Sequence, residues 1–109
     1  MKRGDLHVVK LSGDYGKPRP AVVVQSDRFL DLHPSVIVCP ITSAAIAAPL
    51  FRIDVAASAA NGLKQPSQIM VDKIVTVRRD RIGDRIGSLD AETRVRLDRS
   101  IATFLGLAD

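Results

Sequence analysis

Aromatic residues are nearly absent from this chain. Tyr15, Phe29, Phe51 and Phe104 are the whole set, and there is no tryptophan. A module that stacks successive bases on aromatic rings needs a larger supply, so one loop tyrosine makes no platform. The core has to be built from Val, Ile, Leu and Ala. Cys39 is the only cysteine, which excludes an intrachain disulfide and a cysteine-based metal site. That usage fits a reducing cytosol. His7 and His33 are the only histidines. No zinc spacing, phosphate-cradling glycine loop or nucleophile elbow occurs. No apolar run approaches the ~20 residues of a membrane span, and Met1-Lys2-Arg3-Gly4-Asp5 does not lead into a signal-peptide core. The expectation is a cytoplasmic protein with no membrane contact.

The 109 residues suit a single domain spanning 1–109, with an ordinary globular balance of 46% apolar and 26% charged residues. The net charge of +4 favours an anionic partner. Residues 1–30 hold six Lys/Arg against three Asp, whereas residues 78–109 hold seven Arg against six acids and read as a self-neutralising surface. The unbalanced charge therefore sits near the N-terminus.

Alternating and continuous apolar patterns predict strands at 6–11, 19–26, 35–42, 50–55 and 67–77. Val22-Val23-Val24 reads as a strand buried on both faces. Pro40 interrupts the third strand and implies an edge or a bulge there. Residues 78–88 read as a turn or short helix. Asp90 caps one helix, with Leu97, Ile101, Phe104 and Leu105 as its core stripe and Gly106 at its end. Short strands followed by a helix predict a mainly β fold, a small curved sheet or partial barrel with the helix packed on one side.

Among candidate functional residues, Arg19 stands out. It lies between Pro18 and Pro20 at the mouth of the second strand, where fixed φ angles restrict its backbone. It is either a solvent-facing turn arginine or one presented to an anion, since its planar fork suits phosphate. Thr42, Ser43, Ser67, Gln68 and Asp72 lie near strand ends, and each has an ordinary structural explanation taken alone. His7 alternates within a strand. His33 sits before Pro34 in a loop, as a surface residue or an acid–base group.

Taken together, these stretches resemble the MazF/PemK family of toxin endoribonucleases. The matching segments are Arg3-Gly4-Asp5-Leu6, Arg19-Pro20-Ala21-Val22-Val23-Val24-Gln25-Ser26, Val38-Cys39-Pro40-Ile41-Thr42-Ser43, Gly62-Leu63 through Ser67-Gln68 with Val71-Asp72-Lys73-Ile74, and Phe104-Leu105-Gly106-Leu107. The resemblance implies a small SH3-like barrel of the CcdB/MazF/Kid type with a C-terminal helix, assembled as a homodimer. It implies metal-independent, cofactor-free cleavage of single-stranded RNA, usually mRNA, through a 2′,3′-cyclic phosphate. It implies a partner as well, a cognate antitoxin with an acidic flexible tail.

Carried over residue by residue, Arg19 and Thr42 are the catalytic pair. Tyr15, Lys17, Ser43, Ser67 and Gln68 help to hold RNA, and Asp72 or His33 could move protons. The Kid-type branch places an arginine two residues before its catalytic aspartate; here Met70 stands in that place. The competing readings are a CcdB-like gyrase poison and a catalytically inactive RNA-binding relative. The first is disfavoured by the Gly106-Leu107-Ala108-Asp109 ending and the missing tryptophan.

Overall fold

The computed structural model describes residues 1–13 and 17–108. In chain order the elements are β1 (Asp5–Lys10), β2 (Pro18–Val23), β3 (Ser35–Thr42), β4 (Arg52–Val55), β5 (Ser67–Met70), β6 (Val75–Arg78), β7 (Ile82–Ser88) and α1 (Ala91–Phe104). All pairings are antiparallel. The strands run β4-β5-β3-β2-β1-β7, and β6 also pairs with β3. The expected mainly β architecture with a C-terminal helix is what forms. No helix among the described residues is long and apolar enough to cross a membrane.

The sheet buries both faces, as the valine run demanded. Val22 packs with Leu6, Cys39, Ile41, Ile69 and Leu97 on one side. Ala21 and Val23 pack with Val9, Leu30, Val36, Val38 and Val77 on the other. Helix α1 covers the first cluster through Leu97, which is 1% exposed. Truncating a leucine so placed costs about 2–5 kcal/mol. Asp90 caps this helix, accepting a hydrogen bond from the Thr93 amide at 2.8 Å. The stripe fades towards the C-terminus: Ile101 is partly covered, but Phe104 and Leu105 are exposed. Phe104 keeps a tilted ring contact with Phe51 at 5.9 Å between centroids.

Three expectations need correction. The predicted strand 67–77 is two strands, broken by a 3-10 turn at Val71–Lys73. Its alternation runs unbroken, but tertiary contacts override it: the Val71 amide donates to the Phe51 carbonyl, and the Ile74 amide turns back to the Val71 carbonyl. Within residues 78–88 the expected turn or short helix is confined to a 3-10 turn at Arg79–Arg81; Arg78 ends β6, and Ile82–Ser88 form β7, which pairs with β1 through two register shifts. An edge strand carrying Gly83, Asp84, Arg85 and Gly87 lacks the apolar signature of a strand.

The third correction concerns Pro40, which lies mid-strand and buried. The Ile37 carbonyl accepts from the Val24 amide, so odd-numbered peptide groups of β3 face β2 and even-numbered ones face away. On that far side, β6 pairs with β3 as far as Val38, and β5 takes over only at Ile41. Pro40 occupies the gap between the two neighbours, where no ladder hydrogen bond is asked of it.

The Arg3-Gly4-Asp5 opening is structural. Arg3 Nε donates to the Val24 carbonyl at 2.8 Å, and its Nη1 lies 2.7 Å from Asp98 of α1. Asp5 is buried, accepts from the Lys2 amide at 2.9 Å and faces Arg85 of β7. Gly4 has φ +93°, a conformation that disfavours side chains, and its open side is filled by Arg94.

Candidate active site

Strand alternation explains how Arg19 and Thr42 meet. Ala21 pairs with Pro40 and Val23 with Val38 across the β2–β3 ladder. Continuing that register by two residues sets Arg19 across from Thr42. Both lie on the sheet face of Ala21, Val23, Val36 and Val38, beyond the end of that apolar cluster. The chain thus changes from core to site along a single face, without a change of strand.

The two residues line one groove of about 510 Å³. Its other described walls are Lys10, Leu11 and Ser12 from β1 and its exit, Pro40 from β3, Met70 and Lys73 around the β5–β6 break, and Val75, Thr76, Val77, Arg78 and Arg81. Five cations therefore face this groove and no described carboxylate does. A concave wall of one charge sign raises the local concentration of anions. The Thr42 Oγ1 accepts a hydrogen bond from the Ala44 amide at 3.1 Å. A hydroxyl has one proton and two lone pairs, so this bond leaves the proton available for an incoming oxygen.

Four of these cations were given no role by the sequence, although Lys73 lies within a matched segment. Lys10, Lys73, Arg78 and Arg81 come from three separate segments. The last two belong to a stretch whose charges balance on paper. The fold sorts them: Arg81 and Arg78, the latter paired with Asp80, line the groove, while Arg85 turns towards Asp5 and Arg96 towards the Asp54 carbonyl.

The remaining expected residues are spread more widely. Lys17 and Ser43 are exposed, at the start of β2 and the end of β3. Tyr15 lies outside the described residues. Ser67 is half-buried, and its hydroxyl donates to the Gln65 carbonyl at 2.9 Å. Gln68 is only 5% exposed. Its Oε1 accepts from the Ile46 amide at 3.0 Å, while its Nε2 donates to the Ile46 carbonyl at 2.9 Å and to Asp54 Oδ1 at 2.8 Å. Neither Ser67 nor Gln68 is among the described residues lining the groove.

Asp72 forms a two-pronged ion pair with Arg52, Nε to Oδ1 at 2.8 Å and Nη2 to Oδ2 at 3.2 Å. His33 lies just before β3, its Nδ1 within 3.1 Å of the Ser35 hydroxyl. Thr42 ends the same strand, about 20 Å further along at the usual rise per residue. Burial pushes the Cys39 thiol up to about 12, so it is no nucleophile. Among the described residues no three His, Cys, Asp or Glu side chains gather to hold a metal ion.

Residues 2–105 match the family of PemK-like, MazF-like toxins of type II toxin–antitoxin systems. The chain is similar to the "Probable endoribonuclease MazF" of Mycolicibacterium smegmatis, with 43% identity over 99% of each chain. Among solved structures it is similar to the Mycobacterium tuberculosis toxin MazF-mt6, with a TM-score of 0.83, 27% identity, and 96% of this chain and 99% of that one covered. A mycobacterial endoribonuclease solved in complex with its cognate antitoxin shares the fold, with a TM-score of 0.82, 22% identity, and 100% and 98% of the two chains covered. With its family model spanning all but the two ends, and a relative so alike along its whole length, the chain belongs to the PemK-like, MazF-like toxin family of type II toxin–antitoxin systems.

Proposed function

We propose that this chain is the toxin of a type II toxin–antitoxin pair and acts as an endoribonuclease on single-stranded RNA. The observation that carries this reading is the groove in which Arg19 and Thr42 share a wall with four further cations. The similarity to a named endoribonuclease supports it and speaks against a gyrase poison. A ribose 2′-OH attacks the adjacent phosphorus, and the P–O5′ bond breaks. The products are a 2′,3′-cyclic phosphate and a 5′-hydroxyl. The 2′-OH gives up its proton and the departing 5′-oxygen takes one. DNA lacks the nucleophile, so the chemistry itself selects RNA.

Each catalytic residue has a defined task. Arg19 neutralises the phosphorane through its planar fork. With a pKa above ~12 it is poorly matched to proton transfer near neutrality. Thr42 donates to a non-bridging oxygen. Of the two titratable candidates, Asp72 is the nearer, next to Lys73 of the groove wall, but Arg52 engages both of its oxygens and it does not line the groove, so the 2′-OH proton is assigned to water. A proton taken by His33 would have to cross the length of β3. Lys17, Ser43, Ser67 and Tyr15 are assigned to holding the RNA strand, and mRNA is the substrate class in which cleavage would stop growth.

A cationic groove that takes phosphates also suits the acidic flexible tail of an antitoxin, which would inhibit by occupying it. The active form is a homodimer in the cytoplasm. The test is direct: purified chain and long single-stranded RNA are incubated in EDTA beside Arg19→Ala, and the cut ends are mapped. Cleavage by the wild type alone, with cyclic phosphate ends, is expected. Absence of cutting across varied RNAs would sink the reading.

A further inference from the structure

We infer that Gln68 is the positioning residue for the Thr42 hydroxyl, and this rests on the endoribonuclease reading above. Gln68 pairs with Thr42 on one side and with Asp54 on the other. Directly paired residues share a sheet face, so the three side chains form a row across β3, β5 and β4. The segment that leaves Thr42 arches back over this row. Between Thr42 and Ile46 it is fastened at two points, and beyond them the Ala48 carbonyl accepts from the Phe51 and Arg52 amides. The Ala44 amide donates to Thr42 Oγ1 at 3.1 Å. Two residues on, both peptide groups of Ile46 are gripped by the Gln68 amide, at 3.0 Å and 2.9 Å. The second Nε2 proton goes to Asp54 at 2.8 Å, which fixes which way round the amide sits.

This arrangement resembles a strand neighbour more than an RNA contact. The side chain is 5% exposed, and both of its donors are spent. The Thr42 hydroxyl is itself the first fastening, and among the described residues the Ala44 bond is the one that holds its lone pair away from the groove. Loss of the Ile46 grip frees the arch, and the Ala44 amide leaves with it. Thr42 then keeps its place in the ladder, through backbone pairing, but loses the direction of its proton. An error of that kind falls on the chemical step rather than on binding.

The test uses the full chain, with Gln68→Met, which keeps length and removes every hydrogen bond. We expect kcat to fall about 10- to 100-fold with KM little changed, and faster amide exchange at Ala44 and Ile46. The double variant with Thr42→Val should be no slower than Thr42→Val alone, because both act through one hydroxyl. Wild-type kcat in Gln68→Met, or losses that multiply in the double variant, would overturn the assignment. Gln68→Glu is a second probe if Gln68→Met does not fold. It retains the acceptor for the Ile46 amide but sets a carboxylate oxygen against the Ile46 carbonyl and Asp54. Its kcat relative to wild type should recover in part as the pH is lowered towards the ordinary glutamate value of about 4.3, when that oxygen carries one proton to donate; a flat ratio would count against the clamp. A wild-type chain that cuts no RNA fails at the parent reading and takes the catalytic role of Gln68 with it, while the exchange rates still report the grip on Ile46.

Discussion

Arg52 and Asp72 meet through two parallel hydrogen bonds, on side chains only 9% and 23% exposed. Arg52 comes from the start of β4, and Asp72 from the 3-10 turn that separates β5 from β6. The pair therefore holds the turn from which Lys73 reaches the groove. Removing one partner leaves the other partly desolvated. Arg52→Met should destabilise the fold by about 1–3 kcal/mol, read as a lower urea midpoint at unchanged m-value. Asp72→Asn should do the same, because an amide cannot accept both of the Arg52 hydrogen bonds.

Arg19→Ala should lower kcat by about 10²–10³-fold, the usual cost of removing a preorganised charge from a transition state. Arg19→Lys should recover little, since a point charge cannot make two parallel hydrogen bonds. Circular dichroism of both variants should match the wild type, because the residue is exposed.

RNA binding should weaken steeply with salt. Each phosphate neutralised on a single strand contributes a slope of about −0.7 in log affinity against log salt. Removing Lys10, Lys73 or Arg81 singly should make the slope shallower by about that amount, while the cut position stays the same. Arg99→Ala, away from the groove on α1, should leave the slope unchanged.

Cys39 predicts a pH effect on stability. Its folded-state value is raised to about 12, chiefly by burial. The stabilisation is complete below the unfolded thiol value, near 9, and is lost as the pH rises through the folded value. Between these limits the unfolded thiol ionises and the folded one does not. Cys39→Ala should flatten the decline in stability above pH ~9, and native protein should resist thiol reagents at neutral pH.

Gly62 has φ +74°, and a methyl group there would strike the Ile86 carbonyl of β7. Gly62→Ala combines backbone strain with a collision against main chain. A loss above about 2 kcal/mol is expected in thermal unfolding.

How much of this could be read beforehand differs element by element. Val22-Val23-Val24 was legible because burial on both faces leaves no polar residue to interrupt the run. The Asp90 cap and Leu97 were legible because capping and helical period are local. β7 was not, since an edge strand held by one neighbour needs little apolar character. Pro40 was read as a break, but its partner gap depends on where β6 stops and β5 starts, which is tertiary. Arg19 and Thr42 were found through family motifs, whereas Lys73 was only a member of a matched segment, with no role assigned, and Arg78 and Arg81 lay outside every motif. Their meeting place exists only once β6 folds back on β3. The burial of Gln68 was equally hidden, because its partner Ile46 lies in an alanine-rich loop without pattern.

The pairing of Asp5 with Ser88 has a consequence for synthesis. β1 is made before β7 and has to wait for it. Until then Arg81 is missing from the groove wall and one flank of β1 is open. Contacts so distant in sequence form slowly. A growing chain therefore carries Arg19 and Thr42 before Arg81 and β7 complete the groove wall and its flank.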